Sequence, residues 1–141
     1  SVTWFLPFID DRFHMHWTPT CEFDGRAGFA EFYRNTTSNM INRIHELSDI
    51  NIDADGETAR ITFRVHETAN VWIPPMPKTL DAIIDATFEW LMDISPETGE
   101  PVITKYTLTS VSFPAESVVV EADRAFKDYK FMHGPFALDN P

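Results

Sequence analysis

Glu67 closes a run in which every second side chain is apolar. Ile61, Phe63 and Val65 point one way along an extended chain, Arg60, Thr62, Arg64 and His66 the other, and the two-residue period carries Glu67 to the apolar side. A carboxyl group there must be paired, neutralised or put to chemical use, because burying its charge alone is costly. His45, in the facing arm, is a candidate partner, against the competing reading of a lone His simply satisfied at a strand end. An imidazole beside a carboxyl in an apolar pocket can pass one proton between two substrate atoms: burial lifts the carboxyl pKa toward neutrality, and the carboxylate holds the ring in one tautomer. Asp49 is a second candidate acid on the His45 face. The catalytic candidates are therefore Glu67, His45 and Asp49. The competing reading of Glu67 is a carboxylate that ends its strand in solvent or pairs with Arg60 or Arg64.

A pocket needs walls, and Trp17, Tyr33, Phe63, Phe88 and Trp90 are the candidate substrate-binding residues, with core filling as the alternative role. His14-x-His16 invites a metal reading, since imidazoles two apart on a strand share a face. A metal-binding cupin would add a nearby Glu, a downstream Gly and a second His-bearing motif, which this sequence does not supply. The expectation is no metal, no cofactor, and two histidines on a polar sheet face.

The elements that position these groups follow from patterning. Two runs rich in Ile, Val, Thr and Phe flank Asp55-Gly56 within residues 44–71, which predicts a β-hairpin. Its first arm places His45, Leu47, Asp49 and Asn51 on one face and Glu46, Ser48, Ile50 and Ile52 on the other. Arg12 to Thr18 alternates as a strand with Phe13, Met15 and Trp17 inward. Asp24 is a plausible N-cap for an amphipathic helix from Arg26 to Ile41. The prolines of residues 72–77 predict a loop. Thr79 to Ile94 and Val102 to Val111 form a second hairpin, the former with Leu80, Ala82, Ile84, Ala86, Phe88, Trp90 and Met92 on one face. Pro114 opens a last helix to about Lys130, and an irregular tail follows.

Composition narrows the function classes. A formal net charge of −11 without a basic stripe argues against nucleic acid or an anionic membrane as partner. One cysteine, Cys21, leaves no internal disulfide. No apolar run is long enough to span a bilayer, and the expected compartment is the cytoplasm. The 141 residues suit a single domain, 1–141. Apolar Ile83 and Leu91 on the polar face of the long strand point to a homodimer across that face.

The order of elements, with Gly25-Arg26 before Phe32-Tyr33, His45 in the first hairpin arm, Gly56-x-x-Ala59 entering the second and Ile73-Pro74-Pro75 before the long strand, resembles the nuclear transport factor 2-like superfamily, in particular its SnoaL-like polyketide cyclase and scytalone dehydratase-like branch. The resemblance runs from about Asp10 to Val111. It implies an α+β cone of curved antiparallel sheet wrapped around helices, an apolar interior pocket and commonly a dimer. It also implies a cofactor-independent isomerase, cyclase or dehydratase acting by acid–base catalysis on a hydrophobic small molecule of polyketide or meroterpenoid type, with His45 at a catalytic position. Ala69 stands where a second His is expected, and residues 103–111 lack the acid that the cyclases carry. The superfamily also implies an alternative, a non-catalytic small-molecule-binding or dimeric assembly module.

Overall fold

The computed structural model describes residues 5–18, 21–38, 40–72 and 77–114. Within them, six strands form one sheet: β1 (Ile9–Thr18), β2 (Cys21–Asp24), β3 (Met40–Asp55), β4 (Thr58–Val71), β5 (Leu80–Ile94) and β6 (Pro101–Ser112). Their order is β2-β1-β6-β5-β4-β3. β1 runs parallel to β6 and every other pair is antiparallel, so the sheet is mixed. The helix α1 spans Gly25–Ser38 between β2 and β3.

Both predicted hairpins are present. The first turns on Gly56-Glu57, with Asp55 paired to Thr58 and a φ of 63° at Gly56. Glycine alone takes that conformation without a Cβ penalty, and the first loop position is where such turns demand it. In β4, Phe63 and Val65 are buried while Arg60 and Arg64 are exposed, as alternation requires. In β5, Ala82, Ala86 and Phe88 are buried on the same inner face.

β1 begins at Ile9, earlier than its alternation alone indicated, and Phe13 and Met15 are fully buried. Short β2 was not anticipated. It pairs with β1 and inserts Phe23 into the core. The helix lies on the inner face, where Phe29 joins Ile9, Phe13, Met15, Phe23 and Ile103 in one cluster. Gly28 permits this close packing, since a Cβ there would meet the Phe23 backbone at 3.0 Å. Arg26 fastens the start of the helix to β1, Nε donating to the Ile9 carbonyl at 2.9 Å and Nη1 to Asp11 at 2.6 Å. The helix stops at Ser38 rather than at Ile41, and Met40 and Ile41 belong to β3. Residues 35–38, Asn-Thr-Thr-Ser, are poor helix formers that favour termini. Asp24 precedes the helix as expected, but its carboxylate engages His14 at 2.7 Å.

β3 departs most from simple alternation. Ile41 pairs with Asn70 and Ile44 with Thr68, then Ser48 with Arg64 and Asn51 with Thr62, so β3 carries one extra residue at each place. Asn42 and Asp49 mark these bulges with φ of 53° and 50°. The second bulge inverts the facing downstream: Asn51 shares the outer face with Ser48, and Ile52 pairs with inward Ile61. The predicted helix from Pro114 and the tail lie outside the described residues, as do residues 73–76 of the proline loop. Among the described residues, no helix is long and apolar enough to cross a membrane.

Candidate active site

An apolar pocket opens on the inner face between three packed clusters. Trp17 of β1, Met40 and Arg43 of β3, Val65 and Glu67 of β4, Ile84, Ala86 and Phe88 of β5, and Leu108 and Val111 of β6 line it. The space between the walls is about 430 Å³, including its solvent-open mouth. The interior is narrow, with room for little more than two waters between the side chains.

Glu67 is where parity placed it, on the inner face with its side chain 12% exposed. Arg43 Nε donates to Glu67 Oε1 at 2.6 Å, and His45 Nε2 lies 3.3 Å from the same oxygen. His45 is the direct cross-strand partner of Glu67, and the Asn42 bulge puts Arg43 on the pocket wall beside it. Arg43 Nη2 also lies 3.3 Å from His45 Nε2. That nitrogen thus faces a carboxylate, to which it donates when protonated, and a guanidinium, from which it accepts when bare.

The electrostatics overturn one expectation. Burial pushes the Glu67 carboxyl up, but the hydrogen bonds from His45 and Arg43 and their charges outweigh it and hold the group below its ordinary value. Glu67 is therefore ionised at neutral pH, not poised near it. Tyr106, behind the pocket against Phe88 and Trp90, has its phenol pushed far up by burial, so it remains a neutral donor. Trp90 and Arg43 oppose that shift, and Glu67 adds to it.

Not every candidate joins the site. His45 sits at the rim, with 42% of its side chain exposed, rather than on the pocket wall. Asp49 is elsewhere: the bulge turns it to the outer face, where it meets Arg64 at 3.4 Å. Trp17 and Phe88 line the pocket. Phe63 and Trp90 instead pack edge to face with ring centroids 5.0 Å apart in the core, and Tyr33 stays on the helix beside Phe29. Arg60 pairs with Glu89 at 2.7 Å, so neither Arg60 nor Arg64 is the partner of Glu67. Arg43 was missed, although its spacing of two from His45 was a usable signal. Among the described residues, those able to hold a metal, His14, His16 and Glu22, lie together away from this pocket.

No protein-family model and no curated protein matches the sequence. Solved structures do match by shape. A scytalone dehydratase candidate from Novosphingobium aromaticivorans superposes with a TM-score of 0.65 at 15% identity, over 85% of this chain and 76% of that one. A type 2 hexachlorocyclohexane dehydrochlorinase, LinA, gives 0.68 at 10% identity, over 86% and 81%. A polyketide cyclase candidate from Xanthomonas campestris pv. campestris gives 0.51 at 19% identity, over 75% of each chain. The curved mixed sheet with its helix is the nuclear transport factor 2-like α+β fold, as the resemblance implied.

Proposed function

We propose that this chain is a cofactor-independent lyase or isomerase, of the dehydratase or cyclase kind, for a hydrophobic small molecule. The observation that carries the reading is Glu67: an ionised carboxylate on the wall of an apolar pocket, held by Arg43 and backed by an imidazole at the rim. A nonpolar wall orients an apolar substrate, while one fixed base and one cation supply the chemistry.

In this reading Glu67 accepts a proton from a substrate carbon as the C–H bond breaks. Arg43 neutralises the negative charge that develops on a neighbouring oxygen, and doing so loosens its hold on Glu67 and strengthens the base. His45 relays the proton onward, either to solvent, to a second substrate atom, or to a departing hydroxyl, which then leaves as water. The similar structures are named for dehydration, dehydrochlorination and cyclisation, which agrees with this reading. Polyketide or meroterpenoid substrates belong to the same proposal.

The rival reading, a non-catalytic binding module, draws on the narrow pocket and the closed Arg43–Glu67 pair. Incubation of the protein with a panel of cyclic ketones and β-hydroxy ketones in D₂O, followed by proton NMR, decides between them. The enzyme reading expects stereoselective deuterium wash-in or water loss for at least one class, reduced about 10²–10⁴-fold in Glu67→Gln. Equal exchange by wild type and variant, or none across the panel, overturns it.

A further inference from the structure

On the opposite face of the sheet the β1–β2 pairing builds a second constellation. Phe13, Met15 and Phe23 point inward and are buried, so the alternating His14, His16, Glu22 and Asp24 point outward. The register sets His14 opposite Asp24 and His16 opposite Glu22, a two-by-two array of imidazoles and carboxylates. We propose that His14, His16 and Glu22 form a site for one zinc-class divalent cation, with Asp24 as the positioning residue for His14.

The distances carry the argument. Asp24 Oδ1 lies 2.7 Å from His14 Nδ1. When that nitrogen donates its proton, the tautomer is fixed and Nε2 is left with a bare lone pair. This is the carboxylate–histidine arrangement that supports metal-bound imidazoles. His14 Nε2 is 3.8 Å and His16 Nδ1 3.0 Å from one oxygen, Glu22 Oε1, and the three ligand atoms lie within 4.8 Å of one another. Metal–ligand bonds of about 2.0–2.1 Å in a tetrahedron separate ligand atoms by roughly 3.3 Å, between these two values. Small rotations of half-exposed rings suffice to close the set.

Charge agrees with a dication. Glu22 and Asp24 together balance it, and Lys105 pairs with His14 from β6, on the side away from β2. The ligand set, two imidazoles and one carboxylate, suits zinc, nickel or copper rather than magnesium or calcium, which prefer oxygen. The linear motif alone argued against a metal because the sequence lacks the set of Glu, downstream Gly and second His-bearing motif that a metal-binding cupin carries. Here the acid comes from the adjacent strand. The ion would clip β2, a four-residue edge strand that leads straight into the helix, onto β1.

The test is a titration of the full chain, stripped with EDTA and dialysed, with ZnCl₂ and separately with MgCl₂, by calorimetry and by thermal melting. Zinc is expected to bind one to one and raise the melting temperature, and magnesium to do neither. Glu22→Gln and His16→Ala, checked for folding by circular dichroism, are expected to weaken zinc at least about tenfold, and Asp24→Asn about tenfold. Glu67→Gln is expected to bind zinc like the wild type, which separates this site from the pocket. No saturable zinc binding by the wild type, or one-to-one binding retained by His14→Ala/His16→Ala, overturns the proposal and leaves surface His–carboxylate hydrogen bonds.

Discussion

Arg43 and Glu67 are 24 positions apart in sequence, yet they meet at 2.6 Å on the pocket wall with side-chain exposures of 24% and 12%. This pair sets the protonation state of the only carboxylate that lines the pocket among the described residues. Removing the guanidinium leaves burial opposed by His45 alone, so Arg43→Met is expected to raise the Glu67 pKa. The acidic limb of the kcat/KM profile would then move to higher pH. An unmoved limb counts against Glu67 as the base.

Glu67→Gln keeps the shape but removes the charge that the Arg43 guanidinium and His45 face. The expected loss of stability at neutral pH is about 1–3 kcal/mol by urea unfolding. The pH dependence has a definite sign. The folded carboxyl sits below its unfolded value of 4.5, so the unfolded state binds more protons in that range. The stabilisation is present above 4.5 and is lost as pH falls through the lower, folded value. Wild-type stability should therefore decline on acidification more steeply than that of the variant, and parallel curves would sink the assignment.

Asp49, on the outer face with Arg64, is expected to be dispensable. Asn tolerates the positive φ at this bulge, so Asp49→Asn should leave turnover unchanged and stability within about 0.5 kcal/mol. A large loss of turnover with intact folding would return Asp49 to the site.

Self-association is expected through the outer face near β3, where Ile44, 60% exposed, pairs with Thr68, and Thr68 with Ile83. Sedimentation velocity at micromolar concentration should show a dimer for the wild type and a monomer for Ile44→Lys. A monomeric wild type would rule the interface out.

Much of the frame was legible in the residues themselves. The side-chain period of a strand is a local property, so Phe63, Val65 and Glu67 declared their common face, and Gly56 declared the turn. Patterning also separated Ala82, Ala86 and Phe88 from the outer side chains of the long strand. The helix start was readable at Gly25-Arg26, but its end was not, because the apolar spacing through Met40 mimicked a further turn.

What only the tertiary structure decided depends on groups distant in sequence. The bulges at Asn42 and Asp49 arise from how β3 pairs with β4, and each changes which side chains share a face. One brought Arg43 to the pocket and the other sent Asp49 away. The Glu67 pKa could not be read from burial alone, since its direction turns on two partners met across the hairpin, His45 and Arg43. Likewise His14 and His16 showed only a shared face, and Glu22 and Asp24 reached them because β2 folds back antiparallel on β1. Side-chain alternation is written residue by residue, whereas bulges, charge partners and ligand sets exist only once strands have chosen their neighbours.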